Sequence, residues 1–155
     1  MSKILFIDDD ETMREAVSRA IGTMGHICDT AADGFEGLKK IKEENYDLVI
    51  TDMRMPKLDG KEFTKRAIQF DKGILIIVLT GYGSVESAVE LLKLGAYDYL
   101  EKPLNFEDLE FVINRALEKK KMEGQLSFFK GMIYTLIISI PIWLILGIIL
   151  AAFLS

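Results

Sequence analysis

Asp8, Asp9 and Asp10 follow the apolar run Ile4-Leu5-Phe6-Ile7, and Asp52 follows Leu48-Val49-Ile50-Thr51. Thr80 closes a third run that starts at Ile74, and Lys102 stands immediately before Pro103. If these runs are neighbouring parallel strands, the acids, the hydroxyl and the ammonium meet at one edge of a sheet, where open α/β folds hold ligands. Carboxylates about 4 Å apart repel by roughly 4 kcal/mol per pair at an effective dielectric near 20, so such a cluster calls for a cation. Magnesium fits, because it takes one or two carboxylates and leaves its other positions to water and phosphate oxygens. A carboxylate could then attack phosphorus in line, with Lys102 supplying a point charge and Thr80 a hydrogen bond. The chemistry expected of this constellation is phosphoryl handling.

The elements that must position these groups alternate along the chain. Strands are predicted near 3–7, 26–31, 47–51, 74–79 and 97–101, and helices near 11–24, 34–44, 60–70, 84–94 and 105–122. Five βα units imply a parallel sheet with right-handed crossovers and helices on both faces. The runs at 48–50 and 74–79 are apolar without alternation, as central strands covered on both faces should be. Asn105 can cap the last helix and Gly95 can end the one before it. Gly81-Tyr82-Gly83 is no dinucleotide fingerprint, since Glu86 occupies the third glycine's place.

Composition narrows the classes further. The net charge of −5 offers no general attraction to nucleic acid, and neither a helix-turn-helix nor a basic arm is left over, so no nucleic-acid partner is expected. One cysteine, Cys28, cannot form an internal disulfide, and with the lone His26 it makes no metal-ligand spacing. The four apolar residues before Asp8 are too few for a signal-peptide core.

Four ordered motifs now make a specific pattern: Asp8-Asp9; Thr51-Asp52-Met53-Arg54-Met55-Pro56-Lys57-Leu58-Asp59-Gly60; Leu79-Thr80-Gly81; and Asp98-Tyr99-Leu100-Glu101-Lys102-Pro103. Over about residues 3–121 the chain resembles the receiver domain of two-component response regulators, in the style of receivers joined to enhancer-dependent transcription regulators. The resemblance implies a flavodoxin-like, doubly wound, five-stranded parallel sheet with five helices. It makes Asp52 the phosphoacceptor, Asp9 a direct magnesium ligand and Asp8 a partner acting through water, with the backbone carbonyl of Arg54 completing the Mg²⁺ site. Thr80 and Tyr99 match the family's switch pair, which puts the reporting surface from Thr80 through the helix near 84–94 to Tyr99. The implied phosphoryl donor is a histidine kinase or histidine phosphotransfer protein, and the implied output runs through a further protein partner.

Two other readings of the acids remain open at this point. Asp8-Asp9-Asp10-Glu11-Thr12 also resembles the nucleophile loop of haloacid-dehalogenase-type phosphatases, with Asp8 as nucleophile and Asp10 as acid/base. In that family, however, the hydroxyl and lysine motifs precede the second acidic cluster. The domain could also serve as a binding module that works without phosphorylation.

The C-terminal stretch differs from the rest. After a connecting segment at 122–130, residues 131–155 carry no charge, and about 24 residues at 1.5 Å rise would span roughly 36 Å, enough for a hydrocarbon core of about 30 Å. A transmembrane helix over 131–155 is therefore expected. Lys119, Lys120, Lys121 and Lys130 precede it, which would put the 1–121 domain on the cytoplasmic side of the cell membrane, held by a single C-terminal anchor. Trp143 near mid-span and Pro141 depart from an ideal anchor. Gly131, Thr135 and Ser139, like Gly147 and Ala151, recur every four residues, a spacing compatible with a homodimer through close helix association.

Overall fold

The computed structural model describes residues 1–81 and 85–154, and side chains at all of these except 85–88, 142, 144 and 146–154. The strands are β1 (Lys3–Ile7), β2 (Ile27–Ala31), β3 (Leu48–Asp52), β4 (Ile76–Thr80) and β5 (Asp98–Glu101). The helices are α1 (Glu11–Thr23), α2 (Gly34–Glu43), α3 (Gly60–Phe70), α4 (Val85–Lys93) and α5 (Phe106–Leu154). All four strand pairings are parallel, in the order β2-β1-β3-β4-β5. The chain moves outward from β1 in one direction and then, from β3 on, in the other, so the order reverses between β1 and β3. That reversal opens a crevice beyond the strand ends, the position at which Asp8 and Asp52 stand.

The period of two along a strand divides the core into two layers. Leu5, Ile7, Val49, Ile76 and Val78 pack with Ile41 of α2, Phe63 and Ala67 of α3, and Leu91 of α4. Ile4, Phe6, Leu48, Ile50, Ile77 and Leu79 pack on the other face with Val17 and Ile21 of α1 and with Leu109, Val112, Ile113 and Ala116 of α5. Every residue of β3 and β4 is buried, as the uninterrupted apolar runs predict.

The helix starts are set by side-chain caps. Asp10 accepts hydrogen bonds from the backbone N–H of Thr12 and Met13, Asp33 from Glu36, and Asp59 from Glu62. Asn105 accepts from the N–H of Glu107 at 3.0 Å. Gly95, at φ +101°, ends α4 in the left-handed region that a side chain resists. Cys28 sits on β2, where burial pushes its thiol up to about 11, so it holds little thiolate near neutrality.

Gly60 has a sharper role. It opens α3 against the end of β3, with its N–H donating to the Met53 carbonyl at 2.9 Å. A Cβ there would stand 2.2 Å from the Asp52 carbonyl oxygen and 2.9 Å from Met53 Cα. Because the obstruction is backbone, it cannot swing aside. Gly60→Ala is expected to cost about 1–3 kcal/mol, the range for overpacking, read as a lower urea midpoint with an unchanged m-value.

The molecule divides into two compact units, Met1–Glu118 and Lys119–Ser155. The expected helix near 105–122 does not stop there: α5 is helical through the expected connecting segment 122–130 and through Pro141. Within the second unit, the hydroxyls of Thr135 and Ser139 donate back to the carbonyls of Gly131 and Leu136. The expected transmembrane anchor is corrected: among the described residues, no helix is long and apolar enough to cross a membrane. Gly147, Ala151 and the rest of 146–155 lie outside the described side chains.

Candidate functional site

Four strand ends build the site. Asp8 and Asp9 follow β1, Asp52 is the last residue of β3, Thr80 is the last of β4, and Lys102 follows β5. Parallel register brings them level: Ile7 pairs with Thr51, Asp52 with Leu79, and Thr80 with Glu101. One carboxylate oxygen from each of Asp8, Asp9 and Asp52 lies within 4.8 Å of the other two. Asp8 and Asp52 are buried, whereas Asp9 is exposed.

Lys102 reaches into this cluster. Its Nζ donates to Asp8 Oδ2 at 2.9 Å and lies 3.1 Å from Asp52 Oδ1. Three carboxylates against one ammonium leave a formal excess of two negative charges around an all-oxygen donor set. A small divalent cation suits both the charge and the oxygen chemistry, so the donors fit Mg²⁺. Receiver domains bind Mg²⁺ at an acidic pocket of this kind, and Asp8, Asp9 and Asp52 are the acids gathered here.

The surroundings of Asp52 and Lys102 shift both groups from their ordinary behaviour. Burial pushes its carboxyl above the usual carboxylate range, the ion pair with Lys102 offsets part of that rise, and the charge of Asp8 adds to it. For Lys102, burial pulls the ammonium down, but the bonds to Asp8 and Asp52 outweigh it and hold the group above its usual value. Lys102 therefore stays cationic whenever Asp52 is ionised.

Two features escape a reading of the sequence. The Arg14 guanidinium, one turn into α1, donates to the Asp8 carbonyl at 2.7 Å and ties the acidic loop to the helix that follows. An arginine six residues after an acid at a helix start is the only signal the sequence offers for it. Gly60, pressed against the Asp52 carbonyl, is visible in sequence only as the residue after a capping aspartate.

The remaining predicted residues fall as follows. Thr80 is buried at the crevice, and Tyr99 is half-buried on β5 against the layer that contains Leu91. Arg54 is exposed in the turn after β3. Asp10 and Asp59 serve as helix caps. Of the expected reporting surface, residues 82–84 lie outside the described residues.

Comparison with known proteins agrees with this geometry. Residues 4–114 match the response regulator receiver domain. The transcriptional regulatory protein ZraR of Klebsiella oxytoca is 37% identical over 119 residues, covering 77% of this chain and 27% of that protein. The chain thus spans about a quarter of ZraR's length. That relative is a transcriptional regulatory protein, which conflicts with the expectation of no nucleic-acid partner. A response regulator receiver domain protein from Clostridium thermocellum superposes with a TM-score of 0.75 at 36% identity, covering 79% of this chain and 98% of that one. The beryllofluoride-activated NtrC4 receiver domain, solved as a dimer, superposes with a TM-score of 0.74 at 36% identity, over 77% of this chain and 99% of that one. With its order-reversing sheet and an acidic crevice at the reversal, the chain belongs to the response regulator receiver family, the phosphoacceptor domains of two-component signalling.

Proposed function

We propose that Asp52 is the phosphoacceptor, taking a phosphoryl group from the phosphohistidine of a histidine kinase or histidine phosphotransfer protein. The observation that carries this reading is the buried Asp52 carboxylate, 3.1 Å from Lys102 Nζ and within 4.8 Å of the other two acids. A carboxylate oxygen of Asp52 attacks phosphorus, the phosphorus–nitrogen bond breaks, and the imidazole leaves with the bond's electrons and is protonated. Mg²⁺, when bound, neutralises phosphoryl oxygen charge. Asp9 and Asp52 would hold it directly, Asp8 through water, and Arg54 through its carbonyl.

The new group adds about −1.5 to −2 charges where a single carboxylate stood. Lys102 can transfer an ion pair from the carboxylates to the phosphoryl oxygens, and the Thr80 hydroxyl can turn toward them. A shift of Thr80 would free space for the Tyr99 ring, and the surface between β4 and β5 would report it to a protein partner. A second copy of this chain is one such partner, in keeping with the NtrC4 receiver dimer. The phosphatase reading is disfavoured by Asp10, whose carboxylate accepts from the N–H of Thr12 at 2.8 Å and of Met13 at 3.3 Å and so is committed to capping α1.

The test is incorporation of phosphoryl from a small-molecule donor with Mg²⁺, followed by gel mobility on a phosphate-affinity matrix. Lys102→Ala is expected to slow incorporation roughly 10- to 100-fold, the worth of a hydrogen bond to a charged group at about 1.5–3 kcal/mol. Wild-type rates in that variant would remove Lys102 from the reaction.

A further inference from the structure

We propose that the groove between α2 and α3, whose lining includes none of Asp8, Asp9 and Asp52, docks an acidic amphipathic helix of a partner protein with its apolar face down. The groove encloses about 640 Å³. Phe35, Leu38 and Phe70 supply its apolar lining, and Lys39, Lys42 and Arg66 its cations.

The two helices bury other stripes. Gly34, Gly37 and Ile41 of α2 and Phe63, Thr64 and Ala67 of α3 face the sheet. Phe35 and Phe70 are left 50% and 54% exposed, one on each side of the groove. Phenylalanines are expensive to leave half in water, and two flanking one trough form an apolar surface that a partner can cover. A pocket for a small molecule would enclose its aromatic side chains; these stand as open ridges, which suits the apolar face of a helix laid between two helices.

Charge selects the partner. The chain as a whole carries −5, yet the groove's lining has three cations and no carboxylate. Arg66 is shared with Glu62 at 2.8 Å. Lys39 lies 3.9 Å from Glu43 with both side chains more than half exposed, a pair too loose and solvated to neutralise it. Lys42 makes no ion pair among the described residues. The lining therefore presents positive charge beside apolar side chains, the complement of a helix with apolar residues on one face and acids on the other.

The test uses the full chain and a fluorescein-labelled helical peptide bearing Leu and Phe on one face and Glu on the other, followed by anisotropy. Saturable binding is expected, equal for wild type and Asp52→Asn. It should weaken roughly tenfold or more in Lys39→Glu/Lys42→Glu and in Phe35→Ala/Phe70→Ala, and with Lys in place of Glu in the peptide. Lys93→Glu, the same charge change on α4, should bind as wild type does. The proposal is overturned if Lys39→Glu/Lys42→Glu binds like Lys93→Glu, or if no saturable binding occurs. It is equally overturned if the groove variants abolish only self-association, or only capture by phosphatidylserine vesicles. Failure here would leave the phosphoacceptor reading untouched, because that reading does not involve these residues.

Discussion

Asp52→Asn is expected to reduce phosphoryl incorporation by roughly 10³-fold or more, since an amide of the same shape is no nucleophile and loss of a covalent group is among the largest single effects known. The same substitution should raise thermal stability at pH 7 in the absence of metal. Burial holds the Asp52 carboxyl above its unfolded value, so folding opposes its ionisation. The stability of the protonated form is present below the usual carboxylate range and is lost as pH rises through the raised folded value. An uncharged Asn escapes that loss, and Lys102 keeps its bond to Asp8 at 2.9 Å. The melting difference should therefore shrink toward zero as pH falls below the usual carboxylate range. A variant that melts lower than wild type at pH 7 would contradict this account of the cluster.

Magnesium should produce the second large effect. Three carboxylates within 4.8 Å repel one another, and Lys102 balances only part of their charge. A ligand that binds the folded state alone at about 100 times its dissociation constant adds about 2.7 kcal/mol, which for a unit of this size is roughly 10 °C in Tm. A rise of that order is expected on adding Mg²⁺, with full reversal by a chelator and loss of phosphoryl incorporation on metal removal. Asp9→Asn and Asp52→Asn should each cut the thermal response sharply. Asp10→Asn should not, because Asp10 is engaged with the start of α1 and asparagine caps equally well. An unchanged Tm with Mg²⁺ would mean that the acids serve some other purpose.

Much of this arrangement was legible in the sequence because it rests on strong local signals. The uninterrupted apolar runs before Asp8, Asp52 and Thr80 marked the central strands, and a parallel sheet necessarily gathers the residues at their ends. Single strand-end acids were harder to assign. Asp10 and Asp59 share their residue type with Asp52, and only the hydrogen bonds to Thr12, Met13 and Glu62 reveal them as caps. Lys102 was legible as a cation at the same sheet edge as the acids, but its simultaneous hold on Asp8 and Asp52 depends on the spacing of three strands. Gly60 and Arg14 were missed for the same reason: their work is a backbone approach and a bond to a carbonyl, which no residue pattern encodes.

The C-terminal stretch shows the opposite failure. A charge-free run was read as a membrane crossing from its composition and length, whereas among the described residues no helix is long and apolar enough to cross a membrane. The groove between α2 and α3 was invisible for another reason, since it needs Phe35 and Phe70 from separate helices to be brought to the two sides of one trough.

The central claim is that Asp52 carries the phosphoryl group, and the most direct test is to locate the bond. The chain is phosphorylated with a small-molecule donor and Mg²⁺, the acyl phosphate is reduced with borohydride, and the resulting homoserine is placed by peptide mass spectrometry. Homoserine at residue 52 is the predicted result; homoserine at residue 8 would contradict it and favour the phosphatase-type nucleophile instead.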